Sequence, residues 1–245
     1  MARKVFVTSV AAAIAIAAAA MTWLPARASS ARPVAITQRT ALNPADFVAV
    51  IDNPYYPLPV GRVLTYKGVR DGVSQMEHVT VTDRTRVIQG ITATVVTDVA
   101  MHGSRLLERT TDWFAQDTQG NVWYLGERTA AYDPDGTVDR SGSWLTGVDG
   151  ARAGIIMEAD PRVPDAYRQE FLKGEAEDTA WIVDRGGKLA VPYATVHGVL
   201  TTLEASVVEP GVYDQKIYAP GLGIVAEHAL AGNEDAVLVN VTPAP

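Results

Sequence analysis

The sequence predicts a mostly β fold, an antiparallel meander that forms a curved sheet or half-open barrel, with a short N-terminal helix. Apolar and polar residues alternate in short runs such as residues 79–82, 91–95 and 237–242, which indicates strands with one buried face. Valine and threonine dominate these runs, and their branched side chains fit a pleated sheet. Turn signals such as Gln119-Gly120 separate the runs, and helices do not alternate with strands, so an α/β sheet is not expected.

The first 28 residues have the features of a secretion signal. Arg3 and Lys4 precede an alanine-rich apolar run at residues 5–20, and Ala26-Arg27-Ala28 supplies the small residues that signal peptidase requires. The apolar run is shorter than the ~20 residues that cross a bilayer. We therefore expect a protein secreted to the periplasm or the exterior, with no stable membrane insertion after cleavage.

Residues 29–52 are expected to form a leader and the short helix, and residues 53–245 a single β domain. Asn43 is suited to cap a helix over residues 44–51, because its side chain can accept a hydrogen bond from a free backbone N–H. Pro54 should end that helix, since proline disfavours helical geometry in the residue before it.

Composition excludes several classes of function. The chain has 245 residues, 47% of them hydrophobic, and a net charge of −7, which becomes −10 once the signal with its three bases and no acids is removed. An acidic chain of this kind argues against a nucleic-acid partner. The absence of cysteine excludes disulfides, thiolate metal sites and a cysteine nucleophile. No cofactor fingerprint occurs in the sequence, and no cofactor is predicted.

Short segments that combine aromatic residues with glycine, proline or acids occur throughout residues 53–228. These segments are Asn53-Pro54-Tyr55-Tyr56-Pro57-Leu58, Asp112-Trp113-Phe114-Ala115-Gln116-Asp117, Gly120-Asn121-Val122-Trp123-Tyr124-Leu125-Gly126-Glu127, Ser143-Trp144, Gly147-Val148-Asp149-Gly150, Tyr167-Arg168-Gln169-Glu170, Gly174-Glu175-Ala176-Glu177-Asp178 and Tyr218-Ala219-Pro220-Gly221-Leu222-Gly223. On them the chain resembles a family of bacterial, largely actinobacterial, secreted proteins of unknown function. The meander also resembles, more loosely, the half-barrels of periplasmic lipid carriers. Neither resemblance implies an activity, because architecture does not fix function.

Four carboxylates lie within nine residues, at Glu170, Glu175, Glu177 and Asp178. Converging carboxylates raise one another's proton affinity or require a cation. Glu175, Glu177 and Asp178 are therefore candidate ligands for calcium. The alternative interpretation is an acidic turn that faces water, where most Glu and Asp side chains lie.

The same cluster supports an enzyme hypothesis. In it, Glu170 or Glu175 acts as a general acid or base, and Tyr167 or Tyr218 donates a proton. Glu127, which follows a glycine, is a further candidate carboxylate, as is Asp149 beside Gly150.

Aromatic residues on the predicted strands support a different hypothesis, a carrier that holds an apolar or amphipathic small molecule. Trp123, Trp144 and Tyr167 are the candidate ligand-binding residues, because a curved sheet can enclose a cavity lined by such side chains. Trp144 also lies in a glycine-rich segment at residues 141–150, where a flap over the cavity would be placed. The alternatives are that these residues pack a solid core, or that the domain is an interaction module of the cell envelope.

We predict that the mature chain begins at Ser29. Signal peptidase should cut after Ala28, because small residues occupy the positions one and three before that bond. N-terminal sequencing of the protein from culture fluid or periplasm checks this. An intact form that begins at Met1 and stays in the membrane would contradict the predicted localisation.

Overall fold

One antiparallel sheet carries sixteen of the eighteen strands in the residues that the computed structural model describes, which are 42–70, 72–230 and 234–244. The predicted signal peptide and most of the predicted leader lie outside these residues. The strands are β1 (Phe47–Val48), β2 (Val63–Arg70), β3 (Val73–Ile88), β4 (Ile91–His102), β5 (Arg105–Asp117), β6 (Val122–Tyr132), β7 (Val138–Asp139), β8 (Trp144–Leu145), β9 (Arg152–Met157), β10 (Ala166–Arg168), β11 (Glu170–Phe171), β12 (Asp178–Arg185), β13 (Lys188–Ala190), β14 (Thr195–His197), β15 (Leu200–Ser206), β16 (Asp214–Ala219), β17 (Gly223–Ala229) and β18 (Asp235–Thr242).

The sheet is nearly closed into a barrel. Its strand order is β10-β12-β15-β16-β17-β18-β2-β3-β4-β5-β6-β9-β11, and β13 and β14 form a separate hairpin. The two ends of this order are consecutive in the chain: Ala166–Arg168 pairs with β12, and Glu170–Phe171 pairs with β9. We call residues 166–171 the closing segment. The predicted mostly β, antiparallel class is confirmed, and the sheet closes further than a half-open barrel.

The predicted N-terminal helix over residues 44–51 is wrong. Asn43 does accept a hydrogen bond from Ala45 N, at 3.2 Å, but the turn it begins is a 3₁₀ helix that ends at Asp46. Phe47–Val48 then pairs with the end of β5 as a strand. A helix this short is marginal in isolation, and the edge of β5 offers the backbone alternative hydrogen-bond partners. Among the described residues, no helix has the length and apolar character needed to cross a bilayer.

Most of the aromatic side chains pack into the core. The larger of two hydrophobic clusters includes Trp113, Phe114, Trp123, Trp144 and Tyr167. In β3 to β6, inward-facing positions alternate with outward-facing ones, as in any barrel. Side chains of opposite strands therefore meet inside the barrel, which is where the site described below is formed.

Asn53 fixes the segment that precedes β2 across one end of the barrel. Its buried amide donates to Gly120 O at 2.9 Å and to Glu158 O at 3.0 Å. Its Oδ1 accepts from the backbone N–H groups of Tyr55 and Tyr56. These bonds hold the next residues so that the Tyr56 ring packs against the inward-facing Phe114, with ring centroids 5.3 Å apart.

We predict that Asn53→Ala destabilises the fold by about 2–4 kcal/mol, because it leaves backbone donors and acceptors buried without partners. Asn43→Ala is the matched control, since that asparagine is exposed and caps only the 3₁₀ turn, so we expect a loss of about 1 kcal/mol or less. Urea unfolding followed by circular dichroism measures both. Equal losses for the two variants would contradict the role assigned to Asn53.

Candidate functional site

The barrel interior contains two adjoining cavities. The first, of about 190 Å³, has mostly apolar walls, and we call it the apolar chamber. The second, of about 210 Å³, is lined by several carboxyl groups, and we call it the acidic chamber. Tyr56, Asp112, Phe114, Lys216 and Ile224 line both, so the chambers meet at these residues.

A third cavity of about 160 Å³, the polar pocket, shares Glu77, Asp98 and Glu227 with the apolar chamber. Within residues 42–70, 72–230 and 234–244, ten acidic side chains line the three cavities: Glu77, Asp98, Glu108, Asp112, Glu127, Glu170, Asp178, Glu204, Glu227 and Glu234. Among the described residues, the bases on the same walls are Arg62, Arg70 and Lys216. The walls of the three cavities thus carry far more acids than bases.

A β-bulge in β6 places Tyr124 and Glu127 on the same face of the sheet. Asp112 pairs with Glu127 and Phe114 pairs with Tyr124, so Leu125 and Gly126 face a single partner on β5. Without the extra residue, Tyr124 and Glu127 would point to opposite faces of the sheet. Glycine is required at position 126, because its φ is +149° and a Cβ there would lie 2.7 Å from a backbone oxygen of β8.

The Tyr124 hydroxyl then connects two carboxyl groups. Its oxygen lies 2.6 Å from Asp112 Oδ1 and 2.5 Å from Glu127 Oε2. A phenol carries one proton, so the second of these hydrogen bonds needs a proton on one of the carboxyls. Burial, with the charge of Glu127, raises the pKa of Asp112 to about 8. Burial also raises the pKa of Glu127 to about 7, and the Tyr124 hydrogen bond partly offsets both increases.

Lys216 is already paired with a glutamate. Its Nζ lies 2.9 Å from Glu204 Oε2 and 3.8 Å from Glu227 Oε1. Burial by itself lowers the pKa of Lys216, but the charges of Glu204 and Glu227 outweigh burial and raise that pKa. The hydroxyls of Thr202 and Tyr218 donate to the other oxygen of Glu204, at 2.8 and 3.2 Å. The positive charge of Lys216 is therefore balanced mainly by Glu204.

The predicted acidic cluster is split by the fold. Glu170 is buried in the wall of the acidic chamber, where its Oε2 accepts from Trp144 Nε1 at 2.5 Å. Burial and the charge of Asp178 raise the pKa of Glu170, while the indole hydrogen bond opposes this shift. Asp178 lines the same chamber. These two members of the cluster therefore face the interior together with Glu127.

The other two members lie elsewhere. Glu175 is exposed in the turn that follows β11. Glu177 accepts a hydrogen bond from the backbone N–H of Gly174 at 2.9 Å and lies 3.9 Å from Arg168. Within the described part of the chain, no three His, Asp or Glu side chains have an arrangement that would hold a metal ion. Calcium binding by Glu175, Glu177 and Asp178 stays a prediction.

The predicted ligand-binding aromatics lie behind the cavity walls. Trp123 is in the core, with its Nε1 donating to Asp117 Oδ2 at 2.9 Å. Trp144 is buried in β8 rather than in an open loop, and its ring contacts Tyr124 edge-on at 5.2 Å. Tyr167 is fully buried, and its hydroxyl has no hydrogen-bond partner in the described structure.

Of the remaining candidates, one faces the interior and one does not. Tyr218 lines the acidic chamber and donates to Glu204. Asp149 is exposed in a turn. Sequence analysis missed several inward-facing groups: Glu77, Asp98, Asp112, Glu204, Lys216 and Glu227. A signal was present in β5, where Asp112 lies two residues before Phe114 and so shares its face.

Fold and site together define an antiparallel barrel with an interior cavity, apolar on one side and acidic on the other. No family model and no curated protein matches the chain. Among solved structures, it is similar to a chain from Parabacteroides distasonis ATCC 8503 described as a "putative lipoprotein", with a TM-score of 0.40 and 12% identity. The match covers 78% of this chain and 100% of that one. A likeness at this level is too weak to indicate what this chain binds.

We predict that the protein loses stability as the pH rises from about 5 to about 8. The Asp112 and Glu127 carboxyls ionise near pH 4 in the unfolded chain but near pH 7 to 8 in the folded protein. Between those values the folded state binds more protons, so the free energy of unfolding falls as pH increases. Thermal melts across this range measure the slope.

Asp112→Asn should flatten that slope, because it removes one of the groups that titrate. The exposed Asp83 provides the matched control, and Asp83→Asn should leave the slope unchanged. A parent melting temperature that increases from pH 5 to pH 8 would contradict the protonated state assigned to the interior.

Proposed function

We propose that this protein is a secreted binding or carrier protein that holds a small amphipathic molecule inside the barrel. The observation that carries the proposal is the junction of two chambers of opposite character at Tyr56, Phe114 and Ile224. A molecule placed across this junction would have its apolar part on one side and its polar part on the other. Ligand pockets commonly combine an apolar lining with a few converging polar groups.

The apolar chamber supports the binding of a ring or short aliphatic group. Leu64, Val79 and Val96 form part of its wall, together with Phe114 and Ile224. Transfer of apolar surface from water to such a wall contributes about 25 cal/mol for each Å² that is buried.

The dimensions and charges restrict the ligand further. The chambers have volumes of about 190 and 210 Å³, so a single-ring molecule is favoured over a long-chain lipid. The carboxylate of a fatty acid would face the acids of the interior, and like charges in a buried site disfavour binding. We therefore favour an amphipathic ligand over a purely apolar or anionic one.

Trp144 has an indirect role in this proposal. Its indole N–H binds Glu170 from behind the wall, and its ring supports Tyr124. Trp123 and Tyr167 stabilise the core on which the wall is built. All three would influence affinity through the position of the carboxyl groups.

Acid–base catalysis is a second candidate function, favoured by the contacts of Tyr124 with Asp112 and Glu127. Carboxyl groups with a pKa near 7 to 8 exchange protons readily at neutral pH, as catalytic acids and bases do. An enzyme would convert a bound molecule, whereas a carrier returns it unchanged. Mass spectrometry of a bound probe after prolonged incubation distinguishes the two.

We predict that a panel of small aromatic amphiphiles contains compounds that raise the melting temperature, by preferential binding to the folded state. Saturation at about 100 times Kd corresponds to about 2.7 kcal/mol. Val96→Phe should abolish the shift, because the larger side chain fills the apolar chamber. Val87→Phe is the matched control on an exposed position and should leave the shift unchanged.

A cooperative melt of the V96F variant verifies that it still folds. If no aromatic, isoprenoid or fatty-acid compound shifts the parent protein, the carrier proposal is wrong. Shifts that persist in V96F would place binding outside the apolar chamber.

A further inference from the structure

On the basis of the proposed function, we infer that the ligand is a small organic cation: an ammonium group with a neutral oxygen acceptor beside it, carried on an aromatic or cyclic body. Three independent features support this chemistry. They are the charge of the acidic chamber, an unpartnered buried amide in its wall, and the aromatic surface at its boundary.

The acidic chamber has more carboxyl groups in its lining than protein cations. Its acids are Asp112, Glu127, Glu170, Asp178 and Glu204. Among the described residues that line it, the single base is Lys216, which lies 2.9 Å from Glu204. The negative charge of the other four carboxyls is compensated by bound protons, by neutral hydrogen-bond donors or by a ligand in the chamber. An ammonium group supplies both positive charge and hydrogen-bond donors.

Gln169 gives the second, independent indication of a ligand. It lies in the closing segment between β10 and β11, is only 3% exposed and lines the acidic chamber. Its backbone N–H donates to Asp178 O at 2.9 Å, but its side-chain Nε2 has no partner in the described structure. A buried donor without an acceptor is costly, so rotation of the Gln169 amide toward a ligand oxygen in the chamber would stabilise the complex.

Aromatic rings at the chamber boundary determine the shape of the ligand body. Phe114 stacks on Tyr124 with ring centroids 4.8 Å apart, and Tyr56 packs edge-on against Phe114. Tyr124 also contacts two of the carboxyls through its hydroxyl. A flat apolar surface therefore lies within one side chain of the acids. This spacing favours a ring that bears its ammonium group on a short arm.

Binding of a cation should release a proton. The Asp112–Tyr124–Glu127 contact holds a proton on one carboxyl, and a nearby positive charge favours the ionised form. Several charged or titratable groups on neighbouring elements surround Asp112 and Glu127. They are Tyr56, Glu77 of β3, Asp98 of β4, Glu108 of β5, Glu170 of β11, Asp178 of β12, Glu204 of β15 and Lys216 of β16. Acids predominate among them, so they favour retention of the proton until the cation arrives.

The test is isothermal titration calorimetry of the mature chain with four matched probes at pH 7. The probes are 2-amino-1-phenylethanol, phenethylamine, 1-phenyl-1,2-ethanediol and mandelate. They retain one ring while the ammonium, the oxygen or the charge changes. We expect the amino alcohol to bind about 5- to 10-fold more tightly than phenethylamine, through the Gln169 hydrogen bond. The diol and mandelate should bind at least about 100-fold more weakly than the amino alcohol.

Titrations in buffers of different ionisation enthalpy measure the number of protons that are released on binding. We expect release of up to about one proton for each amine bound at pH 7, and affinity that increases between about pH 6 and pH 8. Glu127→Gln should remove the release and weaken amine binding by about 10-fold or more. Gln169→Leu should abolish the preference for the amino alcohol but retain proton release. The exposed Glu209 is the matched control, and Glu209→Gln should change neither quantity.

The outcomes separate this inference from the proposed function. Equal or tighter binding of the diol or mandelate would overturn the cation and leave the barrel as a binding site. If neither amine binds but a neutral aromatic from the thermal panel does, the cation inference is likewise overturned and the barrel is left as a binding site. If neither the four probes nor the panel binds, the proposed function itself fails. An amino-alcohol preference that survives Gln169→Leu would overturn the role of that side chain.

Discussion

The enclosure of many carboxyl groups by one sheet is the constraint on which the rest of the structure depends. An ionised carboxylate inside a protein costs several kcal/mol unless a proton, a donor or a cation compensates it. The barrel uses each of these means at a different position. Glu204 has Lys216, Glu170 has an indole N–H, and the Asp112–Glu127 pair shares protons through a phenol. The charge of the interior is therefore set by how many protons it retains.

Irregularities in the strands are what make these compensations possible. The bulge in β6 places Tyr124 and Glu127 on one face, and a similar bulge in β17 allows Ile224 and Glu227 to line the same chamber. In a regular strand, residues three apart point to opposite faces. The acid–tyrosine contact and the apolar wall thus depend on two extra residues in the sheet.

The sequence was sufficient for the fold class but only partly for the site. Alternation and turn signals predicted an antiparallel β protein, while strand pairing replaced the expected helix near Phe47. The cluster at 170–178 led to Glu170 and Asp178, which do face the interior. Sequence analysis did not identify Asp112 and Lys216 as site residues. In an open sheet, the polar positions of an alternating strand are expected to face solvent. In a closed barrel that side can be the inside, and only the register of the sheet distinguishes the two cases.

The closing segment has a consequence for the order of folding. The hairpins from β2 to β6 join neighbours in sequence, whereas the barrel closes through three paired residues with β12 and two with β9. Contacts that join already formed edges form late, since they require both edges to be in place. Gln169 and Glu170 lie in this seam, so the acidic chamber exists only once the last edges have met. A chain that has not finished folding presents two open strand edges and no complete pocket.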